Sequence, residues 1–263
     1  MNTIPRQIGR KAFGLDPAGY DIARPDYPEW IYDMLRTRCG LSSGTAVFEI
    51  GAGTGKATRR LLAEGVRRLM AIEPDARLAE FLCKNNAHPA LCVQNVAFED
   101  AKLEAGGYDL GISATSFHWL EEDAALDKIA RLLRPGGWWA AIWNVFGDDG
   151  QPDPFHVATR DLLNGPSGPS AGDLGIPFGL DTEARLAAIY RTGAFDSAEG
   201  MSSRWSLVLN AEQTMALYAT YSNVNIRADR ETVLAELGRI ARYDFGNRVV
   251  RNMTTSLYLA RRA

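Results

Sequence analysis

The chain has 263 residues, 46% apolar and 23% charged, and its 29 Lys+Arg against 32 Asp+Glu leave a formal charge of −3. Composition so close to the globular average excludes disordered, collagen-like and disulfide-scaffold classes. At roughly 150 residues per domain the length fits one large domain or two small ones, and the mildly acidic balance gives no footprint for a nucleic-acid backbone. The three cysteines, Cys39, Cys83 and Cys92, are odd in number and form no CxxC pair, which argues against a disulfide framework. His88, His118 and His156 are too scattered for metal-ligand spacing. Arg6, Arg10 and Lys11 are not followed by an apolar h-region. The longest apolar run, Trp138 to Trp143, is far too short for a bilayer. The expectation is a cytoplasmic protein with no metal and no nucleic-acid or membrane partner.

In chain order, Glu29–Arg38 places Trp30, Ile31, Met34 and Leu35 on one side of an amphipathic helix. Ala46–Ile50 is a short apolar run ending in Gly51, and a helical stretch follows to Glu64 with Gly65 as its stop. Leu69–Ile72 reads as a second strand and Asp75–Lys84 as a helix burying Leu78, Phe81 and Leu82. Leu91–Val96 and Tyr108–Ser113 are strands three and four. Glu121–Arg134 is a helix with Leu126, Ile129, Ala130 and Leu133 on one face, stopped by Pro135-Gly136-Gly137, and Trp138–Trp143 is a buried fifth strand. Such alternation implies right-handed crossovers and a mostly parallel, doubly wound α/β sheet. After Asn144 the chain is rich in glycine and proline as far as Gly179, an insertion that acts as a lid or is an incidental loop. Glu183–Arg191 is a short helix and Ser203–Leu209 a sixth strand. Asn210 and Gln213 form a capping-box-like start for a helix bearing Met215, Tyr218 and Tyr221. Asp229 opens a further helix, and Met253–Leu259 is the seventh strand.

The most informative segment is Val47-Phe48-Glu49-Ile50-Gly51-Ala52-Gly53-Thr54-Gly55-Lys56. A strand that ends in glycines and leads into a helix lets backbone approach a ligand with no Cβ between. Its free N–H groups favour an anionic part of that ligand. Glu73 stands 18 residues after Gly55, at the end of strand two, where an acid can accept hydrogen bonds from ribose hydroxyls. Loop and acid together read as the seat of a nucleoside-containing cofactor. The G-x-G-x-x-G dinucleotide fingerprint is not met, since Lys56 occupies its sixth position, and the phosphate-loop pattern fails at Ile50 and Ala57. A nicotinamide-dependent oxidoreductase remains the alternative enzyme, and a non-catalytic cofactor-binding protein the alternative of another class.

These residues resemble the class I S-adenosylmethionine-dependent methyltransferases. The match rests on Glu49-Ile50-Gly51-Ala52-Gly53-Thr54-Gly55, on Ile72-Glu73-Pro74 and on the turn Leu133-Arg134-Pro135-Gly136-Gly137. Three more stretches are similar to the type 11 branch that contains the trans-aconitate methyltransferases. They are Tyr20-Asp21-Ile22-Ala23-Arg24-Pro25-Asp26-Tyr27-Pro28, Ser116-Phe117-His118-Trp119 and Leu257-Tyr258-Leu259-Ala260-Arg261-Arg262. The resemblance spans nearly the whole chain except about residues 147–180. It implies a Rossmann-like sheet of seven strands within one methyltransferase domain over 1–263. That domain would have a helical cap at 1–40, a cofactor core at 41–146, the insertion and a helix at 147–200, and a C-terminal part at 201–263 completing the sheet and acceptor pocket.

The resemblance also implies roles. Gly51, Ala52 and Gly53 would pack backbone against the methionine part of S-adenosyl-L-methionine, in the site that Glu49 helps to build. Glu73 would hold the ribose hydroxyls, with Pro74 on the adenine face. The turn Ala97-Phe98 would border the adenine, with Ala97 standing where many relatives carry Asp. Ser113 and Ala114 would lie beside the sulfonium, and Tyr20 and Arg24 would reach the cofactor carboxylate, for which an Arg fork is well suited. His118 is either a general base or a residue flooring the pocket. The expected reaction is in-line methyl transfer to a small-molecule O-, carboxyl-, N- or C-nucleophile, releasing S-adenosyl-L-homocysteine. Nucleic-acid amino methylation is disfavoured because Ser113-Ala114-Thr115-Ser116 lacks the [DN]-P-P-[YF] turn.

Overall fold

In a computed structural model describing residues 4–146, 150–172 and 175–263, all five residues of β1 (Ala46–Ile50) are buried. A strand without a polar face must be covered on both sides, which puts β1 in the interior of a sheet. Around it lie β2 (Arg68–Ile72), β3 (Leu91–Gln94), β4 (Tyr108–Ala114), β5 (Leu133–Phe146), β6 (Phe195–Leu209) and β7 (Val249–Arg262), in the order β3-β2-β1-β4-β5-β7-β6. Only β7 runs antiparallel to its neighbours. The expected doubly wound, mostly parallel sheet of seven strands is therefore the observed one.

After β3 reaches one edge, the chain returns to place β4 on the other side of β1. That reversal opens a crevice at the carboxyl ends of the strands, where open α/β sheets bind ligands. The register aligns these ends, pairing Ile50 with both Ile72 and Ser113, and Ser113 with Ala141.

Helices cover both faces. Ahead of β1 come α1 (Arg6–Lys11), α2 (Pro17–Ala23) and α3 (Glu29–Cys39), the last burying Ile31, Tyr32 and Leu35 against Val47, Leu69 and Leu110. Then follow α4 (Lys56–Ala63), α5 (Ala76–Asn85) and α6 (Glu122–Leu132). On the other face Ile129 and Ala130 of α6 join Phe48, Phe98, Tyr108 and Trp139. The helix stops at Leu132, two residues short of its expected end. Leu133 already pairs with Tyr108 and Trp138 with Leu110, so Arg134 to Gly137 bulge out of the ladder.

The later strands are longer than the sequence indicates, with β5 and β7 of 14 residues and β6 of 15. Antiparallel pairing along β7 extends them past their apolar centres into mixed sequence. The insertion contributes α7 (Pro154–Thr159), followed by α8 (Thr182–Arg191). Between β6 and β7 lie α9 (Ala211–Tyr218), with the anticipated capping box, α10 (Ser222–Asn225) and α11 (Arg230–Arg239). Phe155 of α7 packs with Tyr218, Val233, Leu237 and Val249 in a separate apolar cluster, so the insertion is anchored by its own small core. No helix among the described residues is long and apolar enough to cross a membrane.

One close approach in the sheet admits a direct test. A Cβ at Gly111 of β4 would come within 2.2 Å of the Phe48 ring. Gly111→Ala is expected to destabilise the fold by about 1–3 kcal/mol, read as a lower urea midpoint with an unchanged slope. An unchanged midpoint would contradict the packing described.

Candidate functional site

A cavity of about 580 Å³ opens at the switch point. Its floor is the turn after β1, where Gly51 and Gly53 take φ of +66° and +58°, a region L side chains rarely adopt. The N–H groups of Gly51 and Ala52 donate to the Ile72 carbonyl, at 2.8 and 3.2 Å, locking the turn onto β2. Nothing lies within 4 Å of where a Gly53 Cβ would stand, so that backbone faces open space.

Beside the turn is Glu73, only 4% exposed, with Oε2 accepting from Gly53 N–H at 2.8 Å and Oε1 from Asp75 N–H at 2.9 Å. Burial pushes its carboxyl up to about 7, against these two donors. A carboxylate oxygen accepts more than one hydrogen bond, so both oxygens retain capacity toward the cavity. Ile72, Pro74, Leu78 and Phe98 surround Glu73 in the wall with apolar surface. Lower in the fold, Glu49 is buried beneath the turn, accepts from Thr58 Oγ1 at 2.6 Å, and is pushed up to about 8 by burial.

The structure brings most of the singled-out residues together. Tyr20, Arg24, Gly51, Gly53, Glu73, Pro74, Phe98, Ala114 and His118 all border the main cavity. Glu49 and Ala52 instead line a smaller recess of about 50 Å³ that shares Tyr20, Arg24, Gly51, Gly53 and Ala114 with it. Two residues lie off both walls. Ser113 is fully buried and its Oγ is engaged by the Ile50 carbonyl and Ser116 Oγ, so Ser116 stands in the wall instead. The Ala97 carbonyl is taken up by the N–H groups of Asp100 and Ala101 in its own turn.

Arg24 enters from the C-terminal cap position of α2. Its guanidinium lies 5.4 Å from the Tyr20 ring centroid, 5.6 Å from Phe146 and 4.6 Å from Tyr221, while one amine donates to the Thr220 carbonyl. Its Nε is buried without a partner among the described residues. An aromatic cage favours a cation but leaves that N–H unsatisfied, a cost an anionic ligand would remove. His118 is buried and accepts at Nδ1 from Trp143 Nε1 at 3.1 Å, and burial pulls it down to about 3, so it is uncharged at neutral pH.

Several wall residues were not singled out from the sequence as site residues. Thr115 has φ of +57°, ties its Oγ1 to Tyr27 and Asn144, and takes the position beyond Ala114. No sequence signal marks a β-branched residue in that conformation. Residues 165–168, 170 and 171 of the insertion also line the wall, and Ile4 N–H donates to the Ser167 carbonyl at 3.0 Å, tying the N-terminal segment to them. Arg251 of β7, 2% exposed, pairs with Asp153 at 2.9 Å and donates to Tyr218 Oη. Asp153 also accepts from the backbone of His156 and Asn252, so one carboxylate caps α7 and fastens the insertion to the sheet. Arg251 lies ahead of the Met253–Leu259 strand read from the sequence, so no pattern there marked it. Trp119 and Trp143 are buried yet also border the cavity.

The two carboxyls under the glycine turn generate a prediction. Both are raised above their ordinary 4.5, so the ligand-free fold prefers them protonated. The stability they contribute is full below about pH 4.5 and is lost as pH rises through about 7 and about 8. Urea unfolding of the ligand-free chain is therefore expected to show falling stability between those limits, and Glu49→Gln is expected to flatten the upper part of that fall. An unchanged slope in the variant would contradict the assignment.

Residues 48–141 match a family model described as a methyltransferase domain. An uncharacterized methyltransferase-like protein of Schizosaccharomyces pombe is 32% identical over 145 residues, 55% of this chain and 56% of that protein. An uncharacterized methyltransferase of Mycobacterium tuberculosis is 29% identical over 180 residues, covering 60% of this chain and 71% of that one. The chain thus spans about half the length of the fission-yeast relatives it matches. Among solved structures, a Haemonchus contortus phosphoethanolamine N-methyltransferase 2, in complex with phosphomonomethylethanolamine and S-adenosylhomocysteine, superposes with a TM-score of 0.58. It is 11% identical, and the overlap takes in 95% of this chain and 57% of that one, a likeness of fold alone. The matched segment, residues 48–141, is thus similar to a methyltransferase domain and runs from β1 into β5, so it holds the glycine turn and Glu73.

Proposed function

We propose that this chain binds S-adenosyl-L-methionine across the ends of β1, β2 and β4 and transfers its methyl group to a small acceptor lodged toward the insertion. The observation that carries the reading is Glu73, a buried carboxylate with apolar surface around it and glycine backbone beside it. That combination fits a ribose between an adenine and a polar tail. S-adenosyl-L-methionine supplies a methyl group on positively charged sulfur and departs as S-adenosyl-L-homocysteine. Glu73 would accept from the ribose hydroxyls, while Pro74, Phe98 and Leu78 would flank the base. The unpartnered Arg24 Nε, at the recess lined by Tyr20 and Glu49, would meet the methionine carboxylate.

The remaining wall, built from Trp143, Phe146, Tyr218, Tyr221 and residues 165–168, 170 and 171, would receive the acceptor. Its closure by the insertion and the N-terminal segment supports a small molecule over a macromolecule, and supports reading the insertion as a lid. In-line displacement at an activated carbon asks chiefly for alignment and exclusion of water, with effective molarities of about 10⁵ M or more as the relevant scale.

Thermal unfolding with S-adenosylmethionine, S-adenosylhomocysteine and NAD, each near ~1 mM, tests the reading. A ligand at about 100 times its Kd stabilises by about 2.7 kcal/mol. The midpoint is expected to rise with both sulfur nucleosides and not with NAD. Glu73→Gln, which loses an acceptor for charge-assisted bonds, is expected to weaken S-adenosylhomocysteine binding by about 10-fold or more. A shift with NAD alone would overturn the proposal in favour of an oxidoreductase.

A further inference from the structure

We infer that Trp143 is a positioning residue that holds His118 with its proton on Nε2, so that the cavity meets its ligand with a fixed, uncharged hydrogen-bond donor in place of a base. A neutral imidazole has one N–H and one bare nitrogen, and the bond made at one nitrogen decides which. Trp143 Nε1 is a donor only and lies 3.1 Å from His118 Nδ1. Nδ1 must therefore be the bare nitrogen, and Nε2 carries the hydrogen. No protein group among the described residues pairs with Nε2, and His118 borders the cavity.

The indole is not free to leave. Trp143 sits in β5 opposite Ser256 of β7, with ring centroids 5.7 Å from Phe178 and 5.9 Å from Tyr258. A Cβ at Gly179 would come within 2.6 Å of it, so glycine there lets the end of the insertion close against the indole. The Gly179 carbonyl is held by Ser256 Oγ at 2.6 Å and Tyr258 Oη at 3.1 Å. Around the imidazole, Trp119 and Phe178 contribute uncharged rings at 5.3 and 6.2 Å. Arg24, just past the end of α2, is the charge that bears on His118, and like burial it opposes protonation. Arg185 lies over the Phe178 ring and adds no acid to the surroundings.

The consequence rests on the methyltransferase reading and deepens it. The acceptor's side toward His118 must offer a hydrogen-bond acceptor, such as a carbonyl, carboxylate, ether or hydroxyl oxygen, and not an ammonium or other pure donor. Any proton removed from the nucleophile has to go elsewhere, and His156 of α7 is the other imidazole in this wall.

The test is a two-bond ¹H–¹⁵N correlation of the histidines in the full-length, ligand-free chain between about pH 5 and 8, where an ordinary imidazole titrates. The His118 signals are assigned by their loss in His118→Gln. His118 is expected to show a single Nε2–H pattern that does not move with pH. In Trp143→Phe the constraint is removed, and a mixture of tautomers or a titration is expected. A proton on Nδ1, or titration near 6.5 in the wild type, would overturn the inference, and that spectrum decides even where Trp143→Phe fails to fold. No cofactor enters the measurement, so its failure is distinct from failure to bind S-adenosylhomocysteine.

Discussion

A carboxylate taken out of water at the end of β2 and left with two backbone N–H donors is an expensive object, and much of the architecture around the crevice answers to it. Glu73 is held by Gly53 on one side and Asp75 on the other. The first bond requires the glycine turn to fold back over β2, which the positive φ at Gly51 and Gly53 permits. The second sets the start of α5, where Asp75 in turn caps the helix through the Arg77 N–H. Burial still lifts Glu73 well above its usual range. Ribose hydroxyls would add donors to a group that has too few, so the site is less comfortable empty than filled. Buried polar groups short of partners mark functional positions for this reason.

The same logic recurs at the other end of the cavity. The Arg24 Nε and the Tyr221 hydroxyl are both buried without partners among the described residues, with the guanidinium stacked on the phenol ring. The groups that are fully paired are those that brace the wall. Asp153 and Arg251 satisfy one another and the backbone around them, and losing one partner of such a buried pair typically costs about 3–5 kcal/mol. His118 belongs with neither, since one nitrogen is fixed by Trp143 and the other is left to the cavity.

Those parts of the site built from local backbone requirements were legible in the sequence. The glycine turn, the acid after β2 and the strand-helix alternation each follow from spacing and side-chain type, and the first five strands were recovered closely at their buried centres. The parts set by pairing across the chain were not. Strand β7 outgrows its apolar core because antiparallel partners on both sides carry it on, and β6 is long for the same reason. Helix α6 ends early because Leu133 is captured by Tyr108 across the sheet. Ser113 was expected beside the ligand from its place at the end of β4. Only the three-dimensional hydrogen bond to Ile50 reveals that its hydroxyl turns inward while Thr115 and Ser116 reach the wall. The insertion reads as glycine and proline with little pattern, and its fastening by Asp153 to a strand about a hundred residues later carries no local signal.

The central claim is that Glu73 and the glycine turn form a nucleoside seat with Arg24 at its polar end. The measurement that tests it most directly is a crystal structure of the full chain grown with S-adenosylhomocysteine. The account predicts ribose hydroxyls on the Glu73 carboxylate, the base against Pro74 and Phe98, and the homocysteine carboxylate at Arg24. A ligand seated elsewhere, or one whose ribose faces away from Glu73, would contradict it.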